Sequence, residues 1–158
     1  MSSKVYIETS IVSYLTGRRG RDVVVVAHQE ITKEWWESRR RVFELFTSQL
    51  VINEAAVGDK IAAEERLAVL SAIPLLDIRE TTTELVEELL HKGCVPSVAV
   101  NDALHIAIAA DHRMDYLLTW NCKHIANAVM RPLIELTCRE QGYTAPVICT
   151  PEELQEVS

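Results

Sequence analysis

The chain lacks most of what would staple a fold together from outside its core. Its four cysteines, Cys94, Cys122, Cys138 and Cys149, form no CxxC pair and no framework spacing. Neither a disulfide scaffold nor a structural zinc site is therefore expected, and the thiols read as reduced. No stretch approaches the roughly 18 apolar residues of a membrane span. Met1-Ser2-Ser3-Lys4 leads directly into a strand-like run with no apolar signal-peptide region. The expectation is a cytoplasmic protein with no membrane contact. Repeats and low-complexity tracts are absent, which removes solenoids and extended disorder. Positive charge is scarce as well: 16 Lys and Arg against 23 Asp and Glu leave a net charge of −7. A surface that coats nucleic acid nonspecifically is excluded, because phosphate binding relies on positive charge. Any contact with a polyanion must be local, through a basic patch or a metal carried by clustered acids.

What is present is enough for a core. With 158 residues, of which 48% are hydrophobic and 25% charged, the chain reads as one globular domain over 1–158. Its organising stretch runs from Val100 to Asn127. From Asp102 to His112 nearly every position is apolar except Asp102 and His105, the pattern of a helix buried on most sides. An acid there needs a reason. Tyr116 to Thr119 follows as an interior strand, closing on the polar Thr119-Trp120-Asn121. In open parallel sheets the ligand crevice lies at the carboxyl ends of the strands, so Thr119 and Asn121 mark a place to look for chemistry.

Earlier in the chain the same theme recurs. Val5-Tyr6-Ile7 reads as a first strand ending at Glu8, with Thr9 or Ser10 capping a helix that carries Ile11, Val12, Tyr14 and Leu15. Gly17 to Arg21 is a basic loop, read as a solvated surface. A long helical pattern then runs from Asp22 to Phe46, on which Trp35 and Trp36 are read as core and interface packing and offer a dimer face. Ser48 to Ile52 is the second expected strand, ending near Glu54, followed by a helix to Leu70 with a break at Gly58-Asp59. Ile73 to Ile78 is the third. A helix through Leu90, capped by Thr82 or Thr83, stops at Gly93. After the Tyr116 strand a helix is expected from Cys122 to about Glu140, then a short strand at Pro146 to Cys149 and a helix start at Thr150. The alternation of strand and helix implies an α/β fold, a helix-covered and mostly parallel sheet of four or five strands.

Glu8 and Glu54 at strand ends, Asp102 at the head of the buried helix, and Thr119 with Asn121 would meet in one crevice. Three carboxylates with no adjacent lysine or arginine repel one another unless a cation sits between them. Mg²⁺ or Mn²⁺ is the expected occupant, since hard cations take oxygen ligands and retain waters. Such a site can orient a water and stabilise charge on a phosphoryl group. Among the neighbours, His105 reads first as a satisfied core histidine, with orientation of Asp102 or general-base work as the alternative. Asp115 reads as a strand-entry residue on the edge away from the crevice, and His124 as a helix-entry residue near the site.

Four motifs in order, V-Y-I-E-T-S at 5–10, L-V-I-N-E at 50–54, N-D-A-L-H-I-A-I-A at 101–109 and L-L-T-W-N-C-K-H-I-A-N at 117–127, resemble the PIN domain. Within that family they look like the VapC-like toxins of bacterial and archaeal toxin–antitoxin pairs. The resemblance implies a PIN-like three-layer α/β/α fold and a Mg²⁺- or Mn²⁺-dependent endoribonuclease acting on an RNA substrate. It also implies a homodimer and a cognate antitoxin as partner. Glu8, Glu54 and Asp102 match the acidic metal positions; Asn121 falls where many members carry a fourth acid; Ser10 and Thr119 match the flanking polar positions. Two positions depart from the pattern: the first acid is normally aspartate, and Asn121 brings no charge. They motivate an alternative, a degenerate PIN-fold protein that binds RNA or a protein partner without cleaving. A phosphoacceptor receiver domain ranks below both, because Glu8 stands alone after the first strand and Asp77 precedes Ile78 within the third.

Overall fold

The computed structural model describes residues 2–157; Met1 and Ser158, the two ends of the expected 1–158 domain, lie outside the described residues. Five strands, β1 (Ser3–Ile7), β2 (Phe43–Ser48), β3 (Leu75–Leu76), β4 (Tyr116–Leu118) and β5 (Val147–Cys149), form one sheet in the order β3-β2-β1-β4-β5. Every pairing is parallel. Among the described residues the seven α-helices are α1 (Thr9–Thr16), α2 (Val23–Ser38), α3 (Gln49–Ala55), α4 (Lys60–Leu70), α5 (Glu80–His91), α6 (Val100–Asp111) and α7 (Arg131–Glu140). They pack in two groups, α1 with α2, α3 and α4, and α5 with α6 and α7. The result is the three-layer α/β/α architecture expected from the sequence.

The middle strand explains why the chain folds this way. Val5, Tyr6 and Ile7 are all fully buried, as a parallel strand covered by helices on both faces requires. The register then does the positioning. Ile7 lies opposite Leu118, so Glu8 and Thr119 emerge level with each other. Tyr6 lies opposite Phe46, which brings Ser48 to the same end. Behind them α6 buries every residue from His105 to Asp111, so its first turn, with Asp102, is held rigidly against that end of the sheet. Gly93, at φ +74, turns the chain out of α5 in a conformation that residues with a Cβ rarely adopt.

Several boundaries differ from those expected. The second strand is Phe43–Ser48, and the residues 49–52 assigned to it form α3 instead. Phe43-Glu44-Leu45-Phe46 alternates along a strand, yet Val42, Phe43 and Phe46 also fit helical spacing, which carried the expected helix too far. The chain leaves α2 at Ser38 and passes through a 3₁₀ turn, Arg40–Val42, before entering β2. Ser48 then caps α3, its hydroxyl accepting the Val51 amide. Residues 122–130 are turns rather than helix, and α7 begins only at Arg131, with Pro132 in its first turn. Thr150 opens a single turn, with its amide on the Glu153 carboxylate, and no helix follows among the described residues. Trp35 is fully buried, stacks on Phe43 and donates its indole N–H to the Leu154 carbonyl at 2.9 Å. It is core alone; only Trp36, half-buried beneath Arg40, remains available to a dimer face.

Candidate metal centre at the strand ends

Glu8 is the residue at which β1 becomes α1. Its backbone is still extended, and the expected cap, Thr9 or Ser10, is not the cap: Glu8 itself takes that place, accepting the Ser10 amide at 3.1 Å. The same oxygen, Oε1, also accepts the hydroxyls of Ser10 and of Thr119, the latter at 2.6 Å. Ser10 Oγ in turn accepts the Trp120 amide at 2.8 Å, and Thr119 Oγ1 the Asn121 amide at 2.9 Å. One carboxylate oxygen thus locks the ends of β1 and β4 together. Among the described residues no protein donor is bonded to Oε2, which leaves it free to face a ligand. The residue is 6% exposed.

Glu54 arrives by a different route from the one expected. It sits in the last turn of α3, where the helix carbonyls disfavour a negative charge, rather than at a strand end. Two donors offset that placement: the Thr9 hydroxyl and His105 Nε2, the latter at 2.8 Å from Oε1. Burial pushes the carboxyl up, but the contacts from His105 and Thr9 outweigh it and hold Glu54 below the ordinary carboxylate range. His105 is therefore not a spectator in the core. Its Nδ1 lies 2.8 Å from the Tyr6 hydroxyl, which lies 2.7 Å from Ser48 Oγ. Burial raises the Tyr6 pKa far above that of a free phenol, so the hydroxyl keeps its proton.

Asp102 opens α6 with both oxygens engaged. Asn121 Nδ2 donates to Oδ1 at 3.1 Å and His124 Nδ1 donates to Oδ2 at 2.9 Å. The Asn121 carbonyl accepts the His124 amide, closing the turn after β4. This side chain orients Asp102 and the turn, rather than presenting a bare oxygen. His124 lies where the sequence put it, beside the site, although in a turn. Asp115 sits on the opposite edge, where its carboxylate accepts the Lys4 amide at 2.7 Å.

All six sequence-predicted site residues thus join one cluster: Glu8, Ser10, Thr119, Asn121 and Asp102 through hydrogen bonds, and Glu54 through Thr9, the residue between Glu8 and Ser10. Three partners were not assigned to the site from the sequence. Thr9 carried only a capping role, Tyr6 looked like an ordinary strand residue, and His105 looked like core. The available signal for His105 was a polar residue in an otherwise apolar helix, three positions from Asp102. Glu8, Glu54 and His105 each offer a ligand atom, and these atoms lie within 4.8 Å of one another. Among the described residues no lysine or arginine pairs with Glu8, Glu54 or Asp102; the basic side chains that contact Glu54 and Asp102 are His105 and His124. Two carboxylates and an imidazole are donors that fit a six-coordinate divalent cation; Asp102 is not part of this trio and joins the cluster through Asn121.

The profile of the PIN domain family matches residues 5–123, three-quarters of the chain, a span that includes Glu8, Glu54, Asp102 and Asn121. The protein belongs to the PIN domain family. No curated protein sequence matches it. A chain of the crystal structure of VapBC2 from Rickettsia felis bound to a DNA fragment from their promoter has the same fold, with a TM-score of 0.52 at 17% identity. The match covers 93% of this chain and 98% of that one. Among the described residues no helix is long and apolar enough to cross a membrane.

Proposed function

We propose that this protein is a metal-dependent endoribonuclease of the toxin–antitoxin type, hydrolysing RNA phosphodiesters at the strand-end site. One observation carries the reading: Glu8 and Glu54 converge at the carboxyl end of the sheet and, among the described residues, no lysine or arginine pairs with them. Carboxylates so placed are stable together when a divalent cation sits between them. Membership of the PIN family, whose members are generally nucleases, supports the same conclusion.

Glu8, Glu54 and Asp102 would hold Mg²⁺ or Mn²⁺, with Asn121 assisting. When bound, that ion supplies an activated water and charge stabilisation for the phosphoryl group. The protein's own part is positioning. Ser10 and Thr119 fix one oxygen of Glu8, so the other is presented in one direction. Thr9 and His105 keep Glu54 ionised. Asn121 and His124 fix the plane of the Asp102 carboxylate, and His124, about one-quarter exposed, lies within reach of a phosphodiester backbone. The acidic surface elsewhere then disfavours nonspecific RNA contact, confining binding to the site.

The partner would be an antitoxin, because a free ribonuclease harms its own cell; the VapBC2 likeness supports a paired assembly. A homodimer and a cytoplasmic location belong to the same reading. A second reading, binding without cleavage, is favoured by one feature: Asn121 and His124 already satisfy Asp102 without a metal. RNA cleavage by the purified chain, with Mn²⁺ and with EDTA, separates the two. The nuclease reading requires cleavage that EDTA and Asp102→Ala each abolish. Tight RNA binding with no metal-dependent cleavage would leave the second reading standing.

A further inference from the structure

We propose that His105 is a direct ligand of the bound cation, making the site a mixed imidazole–carboxylate centre that selects Mn²⁺ over Mg²⁺. This rests on the metal site of the nuclease reading and goes beyond its carboxylate set. The argument begins with one distance. His105 Nε2 and Glu54 Oε1 are 2.8 Å apart, and the imidazole is shut off from solvent, with 1% of its side chain exposed. Donor atoms on adjacent corners of an octahedral ion with bonds near 2.1 Å stand roughly 3 Å apart. The pair is already spaced as two such corners, and Glu8 completes the trio, each of the three residues offering a ligand atom within 4.8 Å of the others.

The second step is the tautomer. Without an ion, Nε2 carries the proton donated to Glu54, and Nδ1 accepts from Tyr6. Tyr6 sits between two groups that can each give or take, His105 Nδ1 and Ser48 Oγ. If its hydroxyl turns to Ser48, Nδ1 can carry the proton and donate to the phenol oxygen. Nε2 then presents a lone pair to the space it shares with Glu54. Two acceptors at that distance repel unless a cation lies between them, so a metal replaces the proton with no change of charge on the ring. A neutral histidine whose far nitrogen donates to a fixed oxygen is the usual arrangement of a ligating imidazole. Nitrogen donors suit first-row transition ions better than Mg²⁺, which prefers oxygen and water.

Pulsed EPR of the full chain loaded with Mn²⁺ tests this without any substitution. Nitrogen modulation from a directly bound imidazole is expected, changing to the ¹⁵N pattern when the histidines are ¹⁵N-labelled, persisting in His124→Gln and vanishing in His105→Gln. In titrations, His105→Gln should lower Mn²⁺ affinity by roughly tenfold or more while changing Mg²⁺ affinity much less. Bound Mn²⁺ with no nitrogen modulation, or modulation lost only in His124→Gln, overturns the inference alone. Absence of any bound Mn²⁺ overturns the metal-site reading and the inference with it.

Discussion

Asp111 holds the far end of α6, and its removal has a calculable cost. Its side chain is 4% exposed and accepts from Arg79 Nε at 3.0 Å, Thr81 Oγ1 at 3.0 Å and Thr82 Oγ1 at 2.5 Å. In Asp111→Ala these donors fare differently. Thr82 is fully buried and loses its acceptor outright, which costs about 1–3 kcal/mol. Arg79 is half-exposed and can return to water, so its ion pair is worth no more than about 1 kcal/mol after screening. Thr81 is exposed and contributes little. The sum is about 1–4 kcal/mol, and its midpoint corresponds to roughly a 5–10 °C fall in melting temperature for a chain of this size. Acid should erase the difference. Burial pushes the Asp111 carboxyl up, but the hydroxyls of Thr82 and Thr81 and the Arg79 guanidinium together hold it below the ordinary range. A carboxylate depressed on folding stabilises fully above its unfolded value, about 3.9, and loses that contribution as pH falls through the folded value. Urea unfolding of both proteins from pH 7 downward should show the gap constant to about pH 5 and narrowing below pH 4. A gap under about 0.5 kcal/mol at pH 7, or one that widens with acid, would refute the reasoning.

Two further outcomes follow from the same geometry. Ser10→Ala removes one donor from Glu8 and the acceptor of the Trp120 amide, so Mn²⁺ affinity should fall roughly 10–100-fold and the stranded amide should cost about 1–3 kcal/mol of stability, read by calorimetry beside thermal unfolding. In the native protein a thiol reagent at pH 8 should label Cys122 alone. It is exposed, whereas burial pushes the thiols of Cys138 and Cys149 up to about 12 and that of Cys94 upward as well. Fast labelling of a second cysteine would contradict the buried placements.

How much of this was legible in the sequence depended on how local the signal was. Val5-Tyr6-Ile7 and Tyr116-Leu117-Leu118 are short apolar runs flanked by polar residues, and such runs mark buried parallel strands without reference to the rest of the chain. Their register, and hence the meeting of Glu8 with Thr119, followed from where each run stopped. The β2–α3 junction was not legible, because Leu50-Val51-Ile52 fits a strand and a buried helix equally well, and only the Ser48 cap and the pairing of Phe43–Ser48 with β1 decide between them. Glu54 was expected two residues past Ile52 and lies instead six residues past Ser48, in the last turn of α3, from where it still reaches Thr9 and His105. His105, Thr9 and Tyr6 were missed as site residues for a different reason. Each acts through a contact more than 40 residues away in the chain, and no local pattern distinguishes a buried histidine that holds a carboxylate from one that fills space.

Calorimetric titration of Mn²⁺ into the wild-type chain and into Glu8→Gln and Glu54→Gln tests the central claim most directly. Both substitutions keep shape and remove charge, so the fold should persist while the neutralising pull on a cation is lost. The account predicts a saturable site in the wild type and a drop in affinity of roughly tenfold or more in each variant. Wild-type protein that takes up no Mn²⁺, or variants that bind it as the wild type does, would contradict it.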